Sequence, residues 1–212
     1  MARFGWVALC LLISAILAFL VVLQTDKKRD NLSLSTLKVL AGGVHGSGVH
    51  TGNRYIITAA HVVGREKTVT VKAQHGGEST ADVLWTNKAH DIALIRARDL
   101  TGVSVSRFDC GTDLQVGQHI SAVGNPGPLE FVTSYGRVAA GVGSREPWAE
   151  AYIASMTVAG GMSGGPVFNE RGDIVGIVVG VALTQIGWSP SAISLSYIVP
   201  SKSVCHLTMR NA

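Results

Sequence analysis

Gly160-Gly161-Met162-Ser163-Gly164-Gly165-Pro166, running into the apolar pair Val167-Phe168, is the stretch on which the reading of this chain turns. A serine set among four glycines and a proline neither fills a core nor continues a helix. It presents one hydroxyl on a tight turn. Glycine permits positive φ and lets backbone N–H groups converge without a Cβ in the way. Converging N–H groups are what a carbonyl oxygen gaining negative charge requires. Taken alone, the segment is equally a glycine-rich hairpin turn. A serine nucleophile needs a histidine base and a group that orients the base, so the decision rests on the rest of the chain.

Working outward, Tyr55-Ile56-Ile57-Thr58-Ala59-Ala60-His61-Val62-Val63 reads as a strand running into small residues and then a histidine. That places His61 at a strand end, where its side chain can project into a cleft. Thirty residues on, His90-Asp91-Ile92-Ala93-Leu94-Ile95 sets an acid at the start of an apolar strand, and Ser163 follows seventy-two residues after Asp91. Singly, each has an ordinary reading: a hydrogen-bonded core histidine, a turn-forming aspartate, a turn serine. The three contexts together, in one order, argue for a catalytic set. His45 and His50 flank a glycine-rich hairpin and could hold a metal, but no third ligand is in sight. His75, His90, His119 and His206 offer no rival to His61, and no metal or organic cofactor is expected.

The background is all-β. Candidate strands are Leu37–Leu40, Gly46–Val49, Tyr55–Thr58, Thr68–Ala73, Ala81–Thr86 and Asp91–Arg96, a density that suits a barrel and not a parallel α/β unit. Thr68-Val69-Thr70-Val71-Lys72 shows the period-2, β-branched pattern of a half-buried strand. Leu100 to about Asp113 has weak periodicity and links two halves. A second set follows: Gln118–Val123, Glu130–Thr133, Gly136–Ala140, Ala151–Ala154, Pro166–Asn169, Ile174–Val181 and Ile193–Val199. Pro200 then opens a short helix from Ser201 to about Met209. The predicted architecture is two antiparallel six-stranded barrels, residues 36–105 and 113–200, with a C-terminal helix over 201–209.

Gly5 to Leu23 is an uncharged run of 19 residues, just long enough to span a hydrocarbon core as a helix. Leu23-Gln24-Thr25-Asp26 lacks the small residues of a cleavage site, so residues 1–23 read as a membrane anchor, with a polar linker over 24–35. Lys27, Lys28 and Arg29 after the span, against Arg3 before it, bias the domain towards the cytoplasm. The formal net charge is +4, and with no basic stripe interleaved with aromatics, nucleic acid is not an implied partner. Cys110 and Cys205 fit no metal or redox spacing. Two mostly buried thiols are the expectation, a bridge between them the lesser reading.

Beyond these readings, the chain resembles the chymotrypsin-fold serine proteases, and closely the protease domain of the HtrA/DegP (trypsin-2) group. The matching segments are Gly46-Ser47-Gly48-Val49, Ile57-Thr58-Ala59-Ala60-His61-Val62-Val63, Asp91-Ile92-Ala93-Leu94-Ile95 and Leu114-Gln115-Val116-Gly117. Further along come Ala122-Val123-Gly124-Asn125-Pro126, Val132-Thr133-Ser134 with Gly136-Arg137-Val138, Ser163-Gly164-Gly165-Pro166 and Ile198-Val199-Pro200-Ser201. The order His, Asp, Ser is that of chymotrypsin-type enzymes. Met162 stands where the group usually carries Asn, and Ala59-Ala60 where its bacterial members carry an Asn pair. No PDZ domain is expected after Pro200.

The resemblance implies an endopeptidase acting on protein or peptide substrates through a His61, Asp91, Ser163 triad, with the backbone N–H groups of Gly161 and Ser163 as oxyanion hole. It places Thr157 at the base of the pocket for the residue preceding the scissile bond. That residue is then small or apolar, since an acid there would mark a tryptic enzyme. Val178, Val179 and Gly180 are expected to pair with an extended substrate backbone. The resemblance also favours an extracytoplasmic domain, the expectation adopted here against the charge bias. The alternatives are a silent binding module built on the protease fold and a zymogen-like enzyme whose oxyanion hole awaits a partner.

Overall fold

The computed structural model describes residues 12–17, 19, 32–186 and 189–210, without side-chain surroundings for 184–192 and 210. Residues 12–17 and 19 are helical and exposed and belong to a unit of their own, Met1–Asn31. The remainder of the expected anchor lies outside the described residues, and among those described no helix is long and apolar enough to cross a membrane. The second unit starts at Leu32, four residues before the expected boundary. Ser35, placed by its polarity in the linker, is fully buried, and its carbonyl accepts the His50 N–H at 2.9 Å.

Among the described residues twelve strands build this unit: β1 (Thr36–Ala41), β2 (Val44–Gly52), β3 (Tyr55–Ala59), β4 (Thr68–Ala73), β5 (Glu78–Asn87), β6 (Ile92–Ala97), β7 (His119–Gly124), β8 (Val132–Arg145), β9 (Trp148–Met156), β10 (Pro166–Phe168), β11 (Ile174–Ile186) and β12 (Ser189–Pro200). They close into two barrels, β1-β2-β3-β6-β5-β4 and β10-β11-β12-β9-β8-β7. Every strand pairing is antiparallel. Closure gives every strand a neighbour on each side over at least part of its length.

In β4 the period-2 pattern acts as physics requires: Val69 and Val71 are buried while Thr68 lies outside. Glu130–Thr133 and Gly136–Ala140, read as two strands, are one. Gly136, expected to open the second of them, sits inside β8 opposite Ile120 on one side and Met156 on the other. A Cβ there would lie 2.3 Å from the Ser155 carbonyl oxygen, so this glycine serves close backbone approach and not a turn.

Each barrel has its own apolar core, and a third core joins them. Val49, Ile57 and Ile92 of the first barrel pack with Val123, Phe168, Ile177 and Val199 of the second. The connecting segment runs across this joint: Ser104 and Ser106 donate their N–H groups to Leu34 and His50, then Asp109 donates to Ile174. The C-terminal helix, Ser201–Arg210, closes the joint with Val204 and Leu207. Here the thiol expectation is overturned. Cys110, exposed on the connecting segment, forms a disulfide with the buried Cys205 of the helix, their Cα atoms 6.0 Å apart. The Ser201 hydroxyl, donating to the Asp109 carbonyl, brings the two segments into register. That is a tertiary contact that cysteine spacing does not encode.

Candidate active site

β3 ends at Ala59, and Ala60–Val63 forms a single helical turn. Ala60, Val62 and Val63 are buried, so the phase of the turn leaves His61 as its exposed member. Opposite, Asn87 caps the turn before β6 by accepting the His90 N–H at 2.9 Å. Asp91 closes this turn in the left-handed region, at φ +54°, a conformation that Asp tolerates better than most residues. The two meet twice. His61 Nδ1–H donates to Asp91 Oδ2 at 2.5 Å, and the His61 backbone N–H donates to Oδ1 at 2.8 Å. The His61 side chain is half exposed and that of Asp91 only 13% exposed. A proton held on Nδ1 leaves the Nε2 lone pair free to accept another.

A third donor reaches the same carboxylate. Trp148 Nε1–H points at Asp91 Oδ2 over 3.4 Å. The next residue ties the loops together, the Ala149 N–H donating to the Ala89 carbonyl at 2.7 Å.

The serine turn is built around one buried hydroxyl. Ser47 Oγ donates to the Gly161 carbonyl at 2.7 Å and accepts the backbone N–H and the side-chain amide of Asn125, each at 3.0 Å. Asn125, fully buried, donates also to the Leu37 carbonyl, and its side-chain oxygen accepts the Phe131 N–H. Its own carbonyl faces His45 Nε2 at 3.0 Å. The Ser47 N–H donates to the Ser163 carbonyl at 2.8 Å. A Cβ on Gly164 would lie 2.4 Å from Thr58 Oγ1 and 2.7 Å from the Ala59 nitrogen, so the serine turn abuts the strand end two residues before His61.

The turn itself is defined by its hydrogen bonds. The Met162 N–H donates to the Ala159 carbonyl at 3.0 Å, and Gly161, third of the four residues, has φ +99°. A closed turn with positive φ at that position is type II. The Gly160 carbonyl, in the central peptide plane, is held by the Gly127 N–H at 2.9 Å. In a trans peptide the Gly161 N–H points the opposite way. Among the described residues neither the Gly161 nor the Ser163 N–H has an internal acceptor, and Ser163 Oγ makes no hydrogen bond, to His61 or otherwise. Met162 is buried in the second barrel's core with Val158, Val178 and Ile198.

The substrate-facing expectations divide. Val178 has both backbone groups engaged, its N–H donating to Gly165 and its carbonyl accepting from Gly164. It cannot pair with a second chain. β10 pairs with β11 only as far as Ile177, so Val179 and Gly180 follow where that side of β11 has no strand beside it. Thr157 is exposed just past the end of β9, its carbonyl accepting the Ser134 hydroxyl at 2.6 Å. His45 and His50 face carbonyl oxygens of Asn125 and Ser104, not each other. A cavity of about 440 Å³ beside the C-terminal helix includes His90 and His206 in its wall but none of His61, Asp91 or Ser163.

Ser47, Asn125 and Trp148 do not stand out in the sequence as individual actors. Ser47 and Asn125 carried a signal, each a small polar residue bracketed by Gly or Pro in an apolar context. Trp148 carried none, since an isolated tryptophan after a proline reads as packing.

The model of the trypsin-like peptidase domain matches residues 46–177. Among curated proteins, a probable periplasmic serine endoprotease DegP-like of Buchnera aphidicola is 28% identical over 189 residues, covering 86% of this chain and 40% of that one. A putative serine protease HhoA of Synechocystis is 31% identical over 150 residues, covering 67% and 38%. The chain thus spans well under half the length of these relatives. Among solved structures, the inactive form of Rv3671c from M. tuberculosis, a Ser→Ala mutant, superposes with TM-score 0.71 at 20% identity, covering 84% of this chain and 86% of that one. The serine endoprotease from Yersinia pestis superposes with TM-score 0.74 at 20% identity, covering 88% and 66%. At such identity these two likenesses speak to the fold.

Proposed function

For a chain that belongs to the trypsin-like peptidase domain family, we propose the activity of a serine endopeptidase, with Ser163 as nucleophile, His61 as base and Asp91 as the group that orients it. The observation that carries this reading is the doubly bonded His61–Asp91 pair at the strand end against which Ser163-Gly164 packs. In the reaction, Ser163 Oγ attacks a peptide carbonyl carbon as His61 Nε2 takes its proton. The same nitrogen returns the proton to the leaving amine, and Asp91 stabilises the transient imidazolium. Water then cleaves the acyl-enzyme by the reverse sequence of proton transfers.

The N–H groups of Gly161 and Ser163 receive the oxyanion. The type II turn, with the Gly160 carbonyl anchored on Gly127, supports a hole formed before substrate arrives. It speaks against the zymogen-like alternative. A silent module would have no need of two unpaired N–H groups beside a polarised histidine. The Ser163–His61 hydrogen bond is absent in the free protein, as is common in apo sites, where such bonds tighten on substrate binding.

An extended substrate adds to the side of β11 left open at Val179 and Gly180. Thr157 contributes a neutral environment for a small or apolar residue before the scissile bond. Residues 5–23 tether the enzyme to a membrane, with the domain on the extracytoplasmic side, where its relatives named periplasmic are placed by their names. A fluorophosphonate probe tests the chemistry: the expected result is labelling of the wild type and none of Ser163→Ala. A folded wild type that takes no label refutes the proposal. A reporter fused after Ala212 reads the topology.

A further inference from the structure

Asp91 sits in a turn, not a strand, and its carboxylate is held from two directions. His61 supplies two donors from one side, one to each oxygen. The third comes from β9, where the Trp148 indole N–H meets Oδ2 over 3.4 Å. The Trp148 ring is itself wedged. Its centroid lies 4.8 Å from that of Tyr197 with the planes tilted by 35°. On another side it covers Gly180, where a Cβ would lie 2.6 Å from Trp148 Cη2 and 2.8 Å from Cζ2. Only glycine admits the indole this close. Tyr197 and Gly180 are cross-strand partners on β12 and β11, so the ring rests on the same rung of the sheet that faces the proposed substrate edge.

We propose that Trp148 is a positioning residue for this site: its indole N–H aims the Asp91 carboxylate at His61, and its ring supports the β11 edge at Gly180. The inference rests on the triad reading above and adds to it a single side chain that serves both the base and the substrate edge. A ring needed only for packing could be any aromatic. The indole N–H aimed at an ionisable oxygen is what distinguishes this one. The fold does not supply partners to every buried indole, since Trp85 Nε1 is buried without one. At 3.4 Å the contact is long for an N–H···O bond, so its effect is orientation more than binding strength. Because the donor stabilises the carboxylate, its removal leaves Asp91 drawing harder on the His61 proton. The pH dependence of labelling reports that change.

The test uses the full-length protein in detergent. The rate of fluorophosphonate labelling is measured against pH for the wild type, Trp148→Phe and Trp148→Ala. A fourth protein carries benzothienylalanine at position 148, which keeps the shape of the indole and replaces the N–H by sulfur. Thermal melts accompany each. The N–H deletions, Phe and benzothienylalanine, are expected to slow labelling roughly three- to tenfold and to displace its acidic limb. Trp148→Ala additionally raises KM for an extended peptide substrate through loss of support at Gly180. If Trp148→Phe melts early, the benzothienylalanine protein decides. Labelling at the wild-type rate with an unmoved limb in that protein overturns the inference while leaving the triad intact, as does slower labelling without a limb shift. Absence of labelling in the wild type removes the triad reading, and this inference with it.

Discussion

Removing one oxygen, in Ser47→Ala, tests how the serine turn is held. The Ser47 hydroxyl has one hydrogen to donate and two lone pairs, and all three are used: on the Gly161 carbonyl, the Asn125 N–H and the Asn125 side-chain amide. Ser47 is fully buried and Asn125 with it. Alanine fits the space but leaves three polar groups without that partner. Asn125 Nδ2 retains the Leu37 carbonyl, so the other two groups lose their partner outright. At about 1–3 kcal/mol for each buried group left unsatisfied, with partial relaxation, the expected loss is about 3 kcal/mol. Activity falls by a separate route. The Gly161 carbonyl is the next peptide plane after the one whose N–H is proposed to receive the oxyanion. Loss of one such donor costs about 3 kcal/mol of transition-state stabilisation, or roughly a hundredfold in rate, when complete; release of the neighbouring plane is expected to forfeit part of it, on the order of tenfold. Urea denaturation gives the stability change, and phosphonate labelling well below the melting temperature gives the rate. A stability loss under about 1 kcal/mol with labelling unchanged would refute the role assigned to Ser47.

Three further outcomes are expected. Met162→Ala, which empties a buried site in the second barrel's core, costs about 3 kcal/mol in chemical denaturation, within the range for large-to-small core substitutions. Cys110→Ser, which frees a 95-residue separation between the bridged cysteines, lowers stability by about 3 kcal/mol, and reductant reproduces the loss in the wild type but not in the variant. Glu130 anchors the 125–131 loop to the first barrel, and hydrogen bonds from the Lys72 and then the Lys38 ammonium hold its carboxyl below the usual carboxylate range. Its folded value being the lower one, the contribution is complete above the unfolded value of about 4.3 and is lost as pH falls through the folded value. The stability difference between wild type and Glu130→Gln therefore shrinks from pH 7 towards pH 3, as paired denaturation curves would show.

Much of this protein is legible along the chain because it depends on neighbours in sequence. Alternating β-branched residues over Thr68–Ala73, the glycines around Ser163 and the small residues before His61 each state a local backbone preference. Those preferences sufficed for strand density, for two barrels and for the three proposed catalytic residues. Where the reading failed, the controlling contact was remote. Gly136 reads as the first residue of a strand, and only its pairing with Ile120 and Met156 places it inside a longer one. Cys110 and Cys205 are unremarkable thiols until the C-terminal helix docks on the connecting segment. Val178 looked available to a substrate, but Gly164 and Gly165 claim its backbone.

The sequence by itself determined which groups could do chemistry: a serine on a glycine turn, a histidine at a strand end, an acid at the start of a strand. Tertiary structure alone decided how they are held: the proton on His61 Nδ1, the orientation of the Gly160–Gly161 peptide plane and the third donor on Asp91. Side-chain type is a property of one residue. Hydrogen-bond direction inside a closed barrel depends on which distant donor finds which acceptor once water is excluded.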